Sequence, residues 1–227
     1  MALTLFTGEK GGVGKSTACK VYLDDHLARS GQDRIVVVEA DTSNPDIHRL
    51  FHSYFPIECI DLRVHDGWMQ LVDLLADHRD REVVVSLPAG IAHHLAVEAE
   101  FLLGALTETG HALSVYWMIN RDKDSIILLR DFLTNPLADY AQQISVVMNG
   151  YFGEKQKFVR WNESNTRKDF LARPGCREAY LPELHERVVD AVTGPWSQAQ
   201  GLRYSVTIEL QRWLREARGA LSAGGVA

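Results

Sequence analysis

The chain has 227 residues, 46% of them hydrophobic and 24% charged, with a formal net charge of −6. That is ample apolar material for one core, and the acidic balance argues against a surface that binds nucleic acid all over, though not against a local basic patch. The three cysteines, Cys19, Cys59 and Cys176, form no C-x-x-C pair, which argues against a disulfide framework or zinc ribbon and fits a reduced, cytoplasmic protein; no apolar run reaches the roughly 20 residues that span a bilayer.

The first element, residues 2–6, is an apolar run that reads as a buried strand. It leads into Gly8-Glu9-Lys10-Gly11-Gly12-Val13-Gly14-Lys15-Ser16-Thr17. A helix-period run follows from Lys15 to about residue 29, with Ala18, Cys19, Tyr22, Leu23 and Leu27 inward and Gly31 as a left-handed stop. Strand, glycine-rich turn and helix form the setting of a phosphate-binding loop. Backbone N–H groups must approach phosphate oxygens closely, and Gly11, Gly12 and Gly14 have no Cβ to block them. The helix start adds unpaired N–H groups and a positive dipole end. Residues Gly11, Gly12, Val13, Gly14, Lys15, Ser16 and Thr17 are therefore the expected phosphate cradle, with Lys15 at the β/γ-phosphates and the Ser16 hydroxyl on Mg2+. The plain pattern G-x-x-x-x-G-K-[ST] would start at residue 9, but the chain has Glu9 there, Gly8 one place early, and a second lysine, Lys10.

From Lys10 onward, Lys-Gly-Gly-x-Gly-Lys-Ser-Thr resembles the deviant Walker A loop of the ParA/MinD family of P-loop ATPases. The resemblance implies an α/β fold with a doubly wound, mostly parallel sheet and helices on both faces. It also implies ATP, ADP and Mg2+ as ligands, and an ATP-bound homodimer in which Lys10 reaches the partner's phosphates.

Residues 34–39 read as a second buried strand, so the first β-α-β unit belongs to a parallel sheet whose carboxyl edge binds ligands. By resemblance, Asp41 is the second aspartate of a D-x-D pair, near Mg2+ and the attacking water, while Glu39 stands at the first position with one more methylene. Read without the resemblance, Asp41 is a turn-former before Asn44-Pro45. In the helix expected at 46–54, His48 and His52 share a face, but no third and fourth ligand completes a structural metal site. An extra strand at 57–64 and a helix at 67–78, with Leu71, Leu74 and Leu75 inward, come next.

Residues 81–90 give a third parallel strand and its loop. This resembles the family's Walker B segment D-x-P-A-G: Pro88-Ala89-Gly90 is intact, but Ser86 holds the aspartate position. A neutral hydroxyl is a weaker partner for hydrated Mg2+ than a carboxylate. Either Asp41 and Ser16 suffice and hydrolysis is slow, or the protein is a nucleotide switch with little hydrolysis; both lysines and Asp41 favour the former.

A helix at 91–109, a strand at 112–120 and a helix through Leu133, capped by Asp124 or Ser125, lead to a strand at 143–148. That strand ends at Asn149, where the family places an asparagine that reads the adenine edge; an Asn-Gly turn is the bland alternative, and both stay open. From 155 to 177 basic residues are interleaved with Phe158, Trp161 and Phe170, which suits either a non-specific DNA surface or a charged loop over the ATP site. Pro182 falls where the family packs adenine with a proline loop. The last helix, 204–221, has an apolar stripe of Val206, Leu210, Trp213, Leu214, Ala217 and Leu221, with Arg212, Arg215 and Arg218 outward. Glu209 and Glu216 dilute its basic face, so it is expected to pack on the sheet and not on a membrane.

The expected organisation is one P-loop ATPase domain, residues 1–221, and a flexible tail, 222–227. The expected function is a slow ParA/MinD-like ATPase whose ATP-dependent homodimer positions or partitions DNA or a protein complex through a protein activator or cargo adaptor. The alternatives are an accessory ATPase of conjugative transfer or mobilisation and a metabolic P-loop enzyme. The last would need a substrate pocket or Fe–S cysteines, and no suitable cysteine pair is present.

Overall fold

The computed structural model describes residues 1–29 and 31–222. Its centre is a seven-stranded sheet in the order β3-β2-β4-β1-β5-β6-β7. The strands are β1 (Ala2–Thr7), β2 (Ile35–Glu39), β3 (Ile57–Cys59), β4 (Glu82–Ser86), β5 (Ala112–Ile119), β6 (Gln143–Asn149) and β7 (Cys176–Leu181). Every neighbouring pair is parallel. Runs such as Ile35-Val36-Val37-Val38 suit this arrangement because a parallel sheet is covered on both faces, so alternation is lost.

One face carries α1 (Lys15–Ala28), α2 (Asp46–Phe51), α10 (Glu186–Ala191) and α11 (Tyr204–Leu221); their buried residues join Phe6, Val37, Val84 and Tyr116 in one apolar cluster. The other carries α3 (His65–Asp77), α4 (Ala92–Val97), α5 (Ala99–Thr109), α6 (Lys123–Phe132), α7 (Pro136–Tyr140), α8 (Val159–Asn162) and α9 (Asn165–Leu171), packed on Leu3, Leu5, Val83, Val115 and Val146. The two layers of helices thus press on alternate residues of the same strands, which gives the expected α/β fold. The order puts β1 between β4 and β5, where the winding reverses, and ligands of open parallel sheets sit outside the strand ends at that point.

Several expectations change. Gly31 has φ −96°, so it is no left-handed stop; the chain passes from α1 into a 3-10 turn at Gln32–Arg34. The helix expected at 91–109 is broken at Glu98 into α4 and α5. Neither Asp124 nor Ser125 caps α6: Asp122 takes the N-cap position without a side-chain bond, while the Ser125 hydroxyl accepts from the Asn120 N–H and donates to Asn120 Oδ1. Strand β7 was not foreseen. Arg218 does not point away from the protein: it pairs with Asp24, which is fully buried, at 2.8 Å. Phe158, Trp161 and Phe170 are buried core residues. Of the expected tail only Ser222 is described, and 223–227 lie outside the described residues. No helix among the described residues is long and apolar enough to cross a membrane.

Candidate nucleotide site

The loop leaves β1 at Gly8. A Cβ on Gly8 would lie 2.7 Å from the Met118 carbonyl oxygen of β5, so a glycine one place early fits where the chain squeezes out of the sheet. Gly14 closes the loop with φ +103° as the residue before α1, and a Cβ there would lie 2.3 Å from Asn149 Nδ2. No side chain caps α1, so its first N–H groups face the loop.

The two lysines have different addresses. Lys15 is only 8% exposed, and its Nζ donates to the Lys10 carbonyl at 3.2 Å. Burial pulls its pKa down, while the carboxylates of Glu9 and Asp41 pull it back up. Lys10 lies at the rim, and its Nζ reaches Asp124 on α6 at 2.6 Å; the pairing raises the lysine's pKa and lowers the aspartate's.

Asp41 follows the end of β2. Its Oδ1 accepts from Ser43 Oγ at 2.6 Å and lies 3.8 Å from Arg63. Glu39 is buried below it and does not open toward the loop: its carboxylate accepts the N–H groups of Ile47 (2.9 Å) and Asp41 (3.3 Å), tying α2 to the strand end. Burial pushes its pKa up to about 7. Ser86 pairs in register with Phe6 on one side and Glu39 on the other, so an uncharged hydroxyl stands at the end of β4 between them. Glu9 joins the loop to the Pro88-Ala89-Gly90 turn, its carbonyl accepting from the Gly90 N–H at 3.1 Å.

Two polar side-chain atoms at this junction, Thr7 Oγ1 and Glu9 Oε1, are buried without a partner. Unpaired polar atoms at a strand edge suit a site completed by a polar ligand. Among the described residues no group of three His, Cys, Asp or Glu gathers to hold a metal. Mg2+ needs no such cage, since it binds through one or two protein oxygens, phosphates and water. The oxygens of Ser16 and Asp41 fit that donor set.

Beside the loop lies a cavity of about 500 Å3. Gly12, Gly14 and Thr17 contribute to one wall, and Asn149, Pro182 and Trp196 are among the residues lining the rest, so both expected base contacts border the same space as the glycine-rich loop. Asn149 also holds the loop: its Nδ2 donates to the Val13 carbonyl at 2.9 Å and its Oδ1 accepts from the Tyr151 N–H at 3.1 Å.

No family model matches the chain. It is 33% identical to Protein MobD of Acidithiobacillus ferrooxidans over 228 residues, 97% of this chain and 96% of that protein. The chain belongs to the MobD family. Among solved structures, the MinD cell division protein of Aquifex aeolicus is 16% identical and covers 95% of this chain and 98% of its own, with a TM-score of 0.48. The cell division ATPase MinD of Pyrococcus furiosus is 13% identical and covers 97% and 99%, also with a TM-score of 0.48. In this MobD-family chain the two-lysine loop leaves the carboxyl end of a central parallel strand.

Sequence reasoning missed Arg63, Lys20 and Trp196 around the site and gave Asp124 only a capping role. Lys20 lies one turn beyond Thr17 on α1, so helical spacing alone could have put it on the cavity wall. No spacing rule links Lys10 to Asp124, which is 114 residues away.

Proposed function

We propose that residues 1–221 act as one slow ATPase whose ATP-bound homodimer positions or partitions cargo. The observation that carries this is the division of labour in the loop, with Lys15 buried in the cradle and Lys10 at the rim of the same site. In this reading the loop N–H groups and Lys15 hold the β- and γ-phosphates of ATP, and Asn149 and Pro182 border the base. Ser16 and Asp41 would hold Mg2+, which supplies positive charge against the triphosphate. Asp41 orients the attacking water. Lys10 of one protomer neutralises charge on the twin's γ-phosphoryl group, so it assists the reaction only in the dimer. Loss of that phosphoryl group loosens the pair, and nucleotide state becomes assembly state. Ser86 leaves the site one carboxylate short, which supports a low turnover rate.

Size analysis of wild type and Lys10→Ala tests the reading, with ADP and with a slowly hydrolysed ATP analogue. Wild type should form dimers with the analogue only. Lys10→Ala should bind nucleotide and stay monomeric; identical profiles for the two proteins would refute the trans role.

A second reading, an accessory ATPase of conjugative transfer or mobilisation acting through a protein partner, is favoured by the 33% identity to MobD. An ATP-dependent pull-down lost in Lys10→Ala would support it. Contact with non-specific DNA through residues 155–177 would rest on cations alone, since Phe158, Trp161 and Phe170 are buried and offer no stacking face.

A further inference from the structure

Lys10 is held at two points. Its carbonyl accepts from the ammonium of Lys15 at 3.2 Å, and its own ammonium donates to Asp124 at 2.6 Å. Both cations of the loop are therefore engaged within one protomer. The Asp124 carboxylate lies in the first turn of α6, where the N-cap position belongs to Asp122, and its hydrogen-bond partner is Lys10. The other charges that bear on the pair are Asp122 and Lys123, its neighbours at the start of α6.

We propose that Asp124 is a positioning residue for Lys10: it keeps the outer lysine turned onto its own protomer, and the Lys10 carbonyl makes its release depend on nucleotide. The inference rests on the trans role given to Lys10 above. When phosphates enter the cradle they compete for the Lys15 ammonium, and a charged phosphate oxygen is a stronger acceptor than a peptide carbonyl. Lys15 then leaves the Lys10 carbonyl, and that peptide loses one of its two restraints. The ion pair that remains is weak enough to yield, with side chains 37% and 57% exposed. Water and salt screen such a pair, whereas the triphosphate of a twin offers several negative charges in a closed interface. A buried pair would lock the lysine in place, whereas the exposed one yields only to a stronger anion. Asp124 thereby sets how much protein is needed for the ATP-loaded protomers to pair.

The test uses the full chain as wild type, Asp124→Asn and Asp124→Glu, with sedimentation in ADP and in a slowly hydrolysed ATP analogue. Asp124→Asn should dimerise with the analogue at about fivefold lower protein concentration, since each dimer releases two exposed pairs, and should stay monomeric with ADP, which offers Lys10 no γ-phosphoryl group. Asp124→Glu keeps the carboxylate and should behave as wild type. Equal dimerisation of wild type and Asp124→Asn would overturn the proposal. So would weaker dimerisation of Asp124→Asn, which would make the carboxylate part of the dimer contact. A second measurement is independent of assembly: the Asp124 carboxyl carbon, followed by NMR in the nucleotide-free protein, should titrate below the ordinary aspartate range in wild type and return to it in Lys10→Ala. An unchanged titration refutes the pairing and leaves the dimer reading standing. A wild type that titrates as expected but never dimerises with the analogue refutes the dimer reading and the restraint built on it.

Discussion

Gly14 leaves no space for a side chain, because its φ of +103° disfavours any L-residue and the Asn149 amide fills the position of a Cβ at 2.3 Å. Gly14→Ala should lower nucleotide affinity at least about tenfold with the fold intact, which titration of a fluorescent nucleotide would read. Asn149→Ala should cost about 1–2 kcal/mol in urea unfolding, because the buried Val13 carbonyl loses its donor. Glu178 gives a pH signature. The Arg167 guanidinium and Lys155 ammonium hold its pKa down to about 2. The stability this pairing adds is present above the ordinary glutamate range and disappears as pH falls toward 2. Glu178→Gln should therefore be less stable than wild type at pH 7 by about 1–2 kcal/mol, after allowance for solvent at the half-exposed partners, and the gap should narrow on acidification.

At the scale of elements, α11 is held by its apolar stripe and anchored in addition by a buried charge. Asp24 on α1 accepts from Arg218 at 2.8 Å and from the N–H and hydroxyl of Ser197 at 2.8 and 3.0 Å. Asp24→Ala leaves Arg218 with the longer Asp25 contact at 3.4 Å and strips the Ser197 N–H and hydroxyl of their acceptor, and a loss of about 2 kcal/mol in chemical denaturation is expected. The sequence made the stripe of α11 and its bounds legible, because five of its six residues are buried at helical spacing. It could not show Arg218 turning inward, because the partner is 194 residues away. Strands β1, β2, β4, β5 and β6 were legible as apolar runs, while β7 was not, since Cys176-Arg177-Glu178 leave its first half only partly buried at the sheet edge. The segment 155–177 misled in the same way. Its aromatics fall on short turns and on α8 and α9, too short for a period to separate a buried face from a wet one. The glycine-rich turn between β1 and α1 was readable because its signature is local, whereas the Lys10–Asp124 pair exists only after β1 and β5 have come together.

For the whole molecule, the strand order has a cost in assembly. Leu3 pairs with Val83 on one side and Leu113 on the other, so β1 has no partner until β4 is available and is not flanked on both sides until β5 is. A fragment of residues 1–110 lacks β5 and should show no cooperative unfolding transition by circular dichroism in urea, although it contains every residue of the phosphate loop. On the ribosome, where about 5–20 residues are added each second, the strand ahead of the loop waits several seconds as a bare hydrophobic segment. In that interval it is a target for chaperones and for mispairing with other nascent chains. Under the proposed function, a copy still lacking β5 presents no finished loop to a nucleotide, so it would not join a completed copy through one.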